Sequence, residues 1–306
     1  MPVSVHGPEA LPAFVRESRF RDCGSVMLDM DGTALYERKG VIYVPDTVEA
    51  GLKAVHEVGR PIVLNTLRFP LSILSTFGED WYEINKAPIP TVLLNGSLLG
   101  YITQSHEGTL GYDEVMAFPL THDEIEEIMV GIEGLVANSV DLVFFFYPRD
   151  WTMGEIIWTP NPDQVSCLEE KYLSASEVFS SSTEELKLRL FTADVMMIHL
   201  RVNTPLDDGM AYQHADKREF MTHEKVDKTS GAICIAKHLG VSLADTIGAG
   251  DTPMDTFLDA VGLAVHVGPL KLDYMGTFGT MTASDPFALG ELLVSFAEQE
   301  RGAITG

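Results

Sequence analysis

The sequence predicts an α/β protein, a parallel sheet with helices on both faces, with a second domain inserted into it. Short apolar runs alternate with amphipathic helical patterns near both ends of the 306-residue chain, as in parallel sheets. Between these parts, helices and strands come in blocks separated by polar connections, which is typical of α+β structure. We therefore predict a discontinuous core of residues 1–100 and 216–306, with residues 101–215 as an α+β domain.

The first part of the core is predicted from its hydrophobic periodicity and its turn residues. Apolar runs favour buried strands, Lys39-Gly40 is typical of a hairpin turn, and residues 46–59 have helical periodicity. Asp46 or Thr47 is the expected N-cap of that helix, and Gly59 its end. The predicted elements are strands at 25–28, 61–66 and 90–96, a hairpin over 34–45, and partly helical structure over 70–86.

The remaining elements follow from the same signals. The inserted domain is predicted to contain helices at 121–137 and 182–193 and strands at 141–148, 155–160 and 195–202. The core is then predicted to resume with strands at 217–223, 244–250 and 263–268 and helices at 229–240, 252–262 and 287–300.

Charge and cysteine content limit the possible partners and location. The chain has 45 acidic residues against 21 Lys and Arg, a formal net charge of −24. Nucleic-acid binding needs clustered basic residues, and anionic membranes attract basic segments, so neither partner is expected. Three widely spaced cysteines form no CxxC pair, and no signal peptide or membrane span is evident. We expect a cytoplasmic protein; its oligomeric state is not predicted.

Polar residues stand at or just after the ends of four of the predicted strands. Ligands bind at the carboxyl ends of strands in open parallel sheets, so Asp29, Thr66, Asn95 and Asp251 should meet at one edge. Asp29 and Asp31 leave their strand two residues apart and can face the same opening. Two close carboxylates repel, so a cation between them or a retained proton is expected. A common Asp-Gly turn is the alternative for this pair.

Two further features add to this edge. Asp251 and Asp255 are four residues apart, with Asp255 expected one turn into a helix, and their oxygens suit Mg²⁺. An N-cap with a second capping carboxylate would look similar. Lys228 stands near a helix start and could lie beside a phosphate held there. A lysine without other evidence is usually a solvated surface charge, which is the alternative.

Together these motifs resemble the haloacid dehalogenase (HAD) superfamily, and within it the Cof-type branch, subfamily IIB, which includes sugar-phosphate phosphatases. The motifs are DxDGT at 29–33, Thr66 with Arg68, Asn95-Gly96, Lys228, and Gly250-Asp251 with Asp255. The insertion lies where this branch carries its α+β cap. Two positions depart from the branch: Leu67 replaces the glycine of Thr-Gly-Arg, and Met254 replaces an asparagine.

The resemblance implies a Rossmann-like core, a cap and a set of roles. Asp29 would be the nucleophile, Asp31 the acid and then the base, and Thr66 and Lys228 would hold the phosphoryl group. The implied Mg²⁺ ligands are Asp29, the backbone carbonyl of Asp31, and Asp251, with Asp255 in support. The implied substrate-binding residues are Gly32, Thr33, Arg68 and Asn95.

The resemblance favours a Mg²⁺-dependent phosphatase of a small phosphorylated metabolite, a sugar or polyol phosphate, acting through an aspartyl-phosphate. Asp31 favours phosphate esters over carbon–halogen bonds, because a chloride leaving group needs no proton. A phosphomutase or phosphotransferase of the phosphomannomutase type is one alternative, and a catalytically silent metabolite-binding protein is another.

Overall fold

The larger of two main sheets forms the centre of the protein. The computed structural model describes residues 5–7, 9–203 and 220–302. In spatial order, the nine described strands of this sheet are β1 (Val5–His6), β16 (Gly279–Ala283), β15 (Leu263–Val267), β14 (Ile247–Gly250), β2 (Val26–Leu28), β5 (Ile62–Asn65), β6 (Ile89–Leu93), β7 (Leu98–Gln104) and β8 (Leu110–Ala117). The pairings from β1 to β6 are parallel, and β7 and β8 are antiparallel to their neighbours.

Helices cover both faces of this sheet. The α-helices of the described residues are α1 (Ala10–Glu17), α2 (Phe20–Cys23), α3 (Asp46–Glu57), α4 (Pro70–Thr76), α5 (Gly78–Asn85), α6 (His122–Ala137), α7 (Val165–Lys171), α8 (Thr183–Thr192), α9 (Lys228–Leu239) and α10 (Pro286–Gly302). Val26 and Leu28 belong to one apolar cluster with α3 and α10, whereas Met27 belongs to another with α9. The alternation follows from the period of two along a strand.

Two helices, α6 and α8, pack on one face of the smaller sheet. Its five described strands, in spatial order, are β11 (Ala175–Ser180), β10 (Glu155–Thr159), β9 (Leu142–Pro148), β12 (Val195–Val202) and β13 (Phe220–Met221). Phe144 and Phe146 pack with α6 and α8, whereas Phe145 and Tyr147 join the cluster of the larger sheet. The predicted α/β class, with a Rossmann-like parallel sheet and an additional sheet, is confirmed.

The strand pairing bears on the predicted domain boundaries. The boundary between residues 100 and 101 falls inside β7, and both β7 and β8 extend the larger sheet. The boundary between residues 215 and 216 lies outside the described residues. The segment expected to resume the core at 217–223 instead supplies β13 to the smaller sheet. Division into two domains stays a prediction, and the pairing favours boundaries after β8 and after β13.

Two linkers connect the sheets, one at residues 118–121 and one at residues 222–227, and Glu124 joins them. Its carboxylate accepts hydrogen bonds from the backbone N–H of Thr121 at 2.7 Å and of Glu224 at 2.7 Å. The Thr121 hydroxyl at 2.9 Å and His223 Nδ1 at 3.0 Å complete the contacts. We call these four residues the linker cluster.

Other predictions are corrected by the structure. Helix α3 begins after Pro45, which cannot cap through its side chain, so Asp46 and Thr47 are not the N-cap. The predicted helix at 252–262 is wrong, since only a 3₁₀ turn forms at Thr256–Asp259. The hairpin is confirmed as β3 (Tyr36–Arg38) and β4 (Val41–Tyr43). None of the described helices is long and apolar enough to cross a membrane.

Candidate active site

The strand order brings the four predicted strand-end residues to one edge of the larger sheet. Strands β14, β2, β5 and β6 are consecutive neighbours and all parallel. Asp251, Asp29 and Thr66 directly follow three of these strands, and Asn95 follows the fourth after one residue. Parallel strands end at the same edge, so the predicted edge is present in the fold.

Three carboxylates and one lysine form the centre of this edge. Oxygens of Asp29, Asp251 and Asp255 all lie within 4.8 Å of one another. Lys228 Nζ lies 2.5 Å from Asp29 Oδ1 and 2.7 Å from Asp255 Oδ1. The side chain of Lys228 is 2% exposed and that of Asp255 is fully buried. We call these four residues the acidic cluster.

Lys228 is fixed by the start of its helix. Asp227 is the N-cap of α9 and exchanges two hydrogen bonds with Ser230, a reciprocal capping arrangement. The carbonyl of Lys228 accepts a hydrogen bond from Asn65 Nδ2 at 3.0 Å. The solvated surface lysine, which the sequence left open, is therefore excluded.

Asp255 organises the loop that carries Asp251. Its Oδ2 accepts hydrogen bonds from the backbone N–H of Asp251 at 3.0 Å and of Thr252 at 2.9 Å, and from the Thr252 hydroxyl at 3.2 Å. Asp255 was expected one turn into a helix, but it precedes a 3₁₀ turn and points back to the loop. The Asp255 carboxylate thus binds the backbone of its own loop, a local arrangement that aspartates adopt in place of regular helix.

The loop after β2 packs against Asp251. The Thr33 hydroxyl donates to Asp251 Oδ1 at 3.0 Å and so joins the two loops. Gly32 has φ +79°, and a Cβ built there would lie 2.2 Å from Asp251 Oδ2. Only glycine fits this position. The predicted substrate contacts of Gly32 and Thr33 stay predictions.

Asp31 has a partner of its own outside the acidic cluster. Arg68 donates to both carboxylate oxygens of Asp31, from Nε at 2.7 Å and from Nη2 at 2.7 Å. The expected cation between Asp29 and Asp31 is thus replaced, for the Asp31 side chain, by a guanidinium. Metal contact through the Asp31 backbone carbonyl, and substrate contact by Arg68, stay predictions.

Thr66 and Asn95 are buried beside these groups. The Thr66 hydroxyl accepts from the backbone N–H of Arg68 at 3.2 Å. Leu94, Asn95 and Gly96 have φ of 51°, 57° and 94°, which is uncommon backbone for the first two residues. Such strain is found most often at functional sites.

Met254 and Leu67, the two residues that depart from the family pattern, both make apolar contacts. Met254 is buried and Leu67 is partly buried, and both pack with the main apolar cluster. Sequence reasoning missed Asn65 and Thr252, which position Lys228 and Asp255. Their only signal was a polar residue at the end of an apolar strand or beside a motif aspartate.

Burial and unbalanced charge determine the electrostatics. Three negative charges against one positive charge leave the acidic cluster with a formal charge of −2. Burial, with Asp255 and Asp251 nearby, raises the pKa of Asp29 well above its ordinary value although Lys228 opposes it. Burial and Asp255 raise the pKa of Asp251 to about 6. Burial disfavours the Lys228 cation, but Asp255 and Asp29 outweigh it and raise the Lys228 pKa.

This donor set fits a hard divalent cation. Carboxylate oxygens are the ligands that Mg²⁺ prefers, and a charge of +2 would balance the cluster. Asp29 and Asp251 keep some solvent exposure, whereas Asp255 is fully buried and already bound by Lys228 and the loop. The residues present therefore fit Mg²⁺, with Asp255 in a supporting position.

Comparisons with solved structures give the same fold. A HAD subclass IIB sugar phosphatase is 17% identical, with TM-score 0.61, over 89% of this chain and 98% of that one. A HAD-superfamily phosphatase from Bacteroides thetaiotaomicron is 15% identical, with TM-score 0.61, over 90% and 96%. A haloacid dehalogenase-like hydrolase from the same organism is 15% identical, with TM-score 0.58, over 89% and 98%. At these identities the likeness establishes the fold alone.

The sequence itself identifies the family. No curated protein matches the chain in a sequence comparison. The family model for haloacid dehalogenase-like hydrolases matches residues 26–269, a span that contains every motif residue of the site. The chain therefore belongs to the haloacid dehalogenase-like hydrolases, as its motifs predicted.

Proposed function

We propose that the protein is a Mg²⁺-dependent phosphatase of a small phosphorylated metabolite. The observation that carries the proposal is Asp29, a buried carboxylate 2.5 Å from Lys228 in a cluster with a formal charge of −2. A nucleophile that attacks a phosphate dianion needs positive charge beside it. Lys228 supplies one such charge, and the cluster can hold a divalent cation for the rest.

In the first step a carboxylate oxygen of Asp29 attacks phosphorus. The bond from phosphorus to the ester oxygen breaks as the aspartyl-phosphate bond forms. Asp31 gives its proton to the departing ester oxygen, which leaves as an alcohol. Thr66 and Lys228 bind the phosphoryl oxygens, on which negative charge is spread in the transition state.

The second step returns the enzyme to its starting state. A water oxygen attacks phosphorus, and Asp31, now a carboxylate, accepts a proton from that water. The aspartyl-phosphate bond breaks, inorganic phosphate leaves and Asp29 is again a carboxylate. Bound Mg²⁺, held by Asp29, Asp251 and the Asp31 carbonyl, would screen the charge between nucleophile and phosphate.

A sugar or polyol phosphate is the proposed substrate class. A HAD subclass IIB sugar phosphatase among the solved structures supports this class. The smaller sheet, which we propose as a cap, lies close to this edge: Phe69, beside Arg68, packs on Tyr147 of that sheet with ring centroids 5.3 Å apart. This close contact favours a small ligand. We propose that the substrate binds between the two layers at this edge, beside Asn95 and Arg68.

Phosphate release from a panel of phosphorylated metabolites, with and without Mg²⁺, tests the proposal. We expect the wild type to release phosphate only with Mg²⁺, and Asp29→Asn to release none. Asp245→Asn is the matched control, because Asp245 is also buried but pairs with Arg19 away from the edge. A folded, inactive wild type would contradict the proposal. Isomerisation that requires a bisphosphate activator would instead identify a phosphomutase.

A further inference from the structure

The ion pair between Arg68 and Asp31 is built differently from a surface salt bridge. The Arg68 side chain is 8% exposed and that of Asp31 is 20% exposed. Nε and Nη2 of the guanidinium each donate to a different oxygen of the carboxylate, both at 2.7 Å. Paired parallel hydrogen bonds of this type fix the carboxylate plane as well as its position.

Arg68 is held on its other sides. Nη1 donates to the Ser72 hydroxyl at 2.9 Å, and the guanidinium carbon lies 5.3 Å from the centre of the Phe77 ring. Its backbone N–H donates to Thr66, and its carbonyl accepts from Leu94 N–H at 3.3 Å. An arginine fixed from both its backbone and its tip can act as a rigid support for its partner.

Asp31 needs such a support, because burial alone does not fix its side chain. It is followed by Gly32 at φ +79°, and its side chain is the more exposed of the two DxD carboxylates. Proton transfer requires the carboxyl group within hydrogen-bond reach of the leaving oxygen. A carboxylate has about four lone-pair positions, so the two Arg68 bonds still leave each oxygen able to carry a proton.

We propose that Arg68 is a positioning residue that acts through Asp31 and orients it toward the leaving-group oxygen. The inference rests on the proposed function and assigns Arg68 to proton transfer rather than to phosphate binding. At least three of the guanidinium N–H groups are already donated to Asp31 and Ser72. A lysine would keep the charge but not the fork.

A comparison of leaving groups tests this role. An alkyl phosphate needs a proton on its departing oxygen, whereas 4-nitrophenyl phosphate has a stable leaving anion. For Arg68→Gln we expect kcat on the best alkyl ester to fall about 100-fold, within the range for general acid–base catalysis. We expect kcat on 4-nitrophenyl phosphate to fall less than about 5-fold, with KM nearly unchanged for both. Arg68→Lys should resemble Arg68→Gln.

A double-mutant cycle on the alkyl ester shows whether Arg68 acts through Asp31. If it does, Arg68→Gln in an Asp31→Ala background should lower kcat by less than about a further 3-fold, because the partner is already absent. Arg21→Gln, which removes a guanidinium bound to Glu300 far from the site, is the control and should leave both substrates unaffected.

Three results would overturn the inference. Equal loss of kcat on both esters would mean a general structural effect, and a rise in KM alone would mean substrate binding. Additive losses in the cycle would mean that Arg68 acts independently of Asp31. A wild type that hydrolyses neither ester would overturn the proposed function along with this inference, whereas active wild type with any of the three results would overturn this inference alone.

Discussion

The acidic cluster and the linker cluster are both built on wholly or partly buried carboxylates, but the pKa values of these carboxylates shift in opposite directions. Hydrogen bonds from His223, Thr121 and Glu224 outweigh burial at Glu124 and lower its pKa to about 2. At Asp251, burial and Asp255 raise the pKa to about 6. A carboxylate with enough donors stabilises the fold, whereas surplus buried charge has to be retained for another reason. We therefore expect the linker cluster to stabilise the fold and the acidic cluster to serve the proposed reaction.

The largest expected effect is the loss of activity in Asp29→Asn. Removal of a nucleophile should lower kcat by at least about 10⁴-fold, measured as phosphate release. The same change removes one of the surplus negative charges, so the metal-free protein should unfold at an equal or higher temperature than the wild type. A lower unfolding temperature would contradict the charge argument, and Asp245→Asn, which breaks a satisfied ion pair, should show that decrease.

Metal binding should stabilise the fold through the acidic cluster. At a Mg²⁺ concentration about 100 times Kd, the free energy of unfolding should rise by about 2.7 kcal/mol. Asp251→Asn should remove most of this increase, since it removes one of the carboxylates proposed to bind the ion. Thermal unfolding with and without Mg²⁺ measures both values. An equal increase in the variant would place the cation elsewhere.

Neutralising the carboxylate of the linker cluster should destabilise the fold, the opposite of the effect expected for Asp29→Asn in the acidic cluster. Glu124→Gln should lower the free energy of unfolding by about 1–3 kcal/mol at neutral pH, because hydrogen bonds to a charged acceptor are lost. Glu126→Gln is the matched control, since Glu126 lies on the same helix but is exposed and paired with Lys187. Urea unfolding of both variants measures the change. Equal effects would show that the linker contacts contribute nothing specific.

The smallest expected effect is the pH dependence of the difference in stability between the wild type and Glu124→Gln. The folded pKa of Glu124, about 2, lies below the ordinary value of about 4.3 in an unfolded chain. Its contribution is therefore fully present above about pH 4.3 and is lost as the pH falls through about 2. The stability gap between the wild type and Glu124→Gln should shrink over that interval. A constant gap would exclude the carboxylate as its source.

The sequence predicted well which strand-end residues meet at one edge, because the signal for a strand end is local. An apolar strand followed by DxDGT places Asp29 at a strand end, and Asp251 follows another such run. It could not predict that Asp31 pairs with Arg68, because 37 positions separate them and only the fold sets their distance. Nor could it predict that the Glu124 carboxylate joins two linkers, because His223 and Glu224 lie 99 and 100 positions further along the chain.

Trapping of the covalent intermediate tests the central claim most directly. The wild type and Asp29→Asn would be mixed with Mg²⁺ and 4-nitrophenyl phosphate, quenched in acid, and mapped by peptide mass spectrometry. Phosphate on Asp29 in the wild type, and on no peptide of Asp29→Asn, is the result we predict. Phosphate on another residue, or continued turnover by Asp29→Asn, would contradict the assignment of Asp29 as the nucleophile.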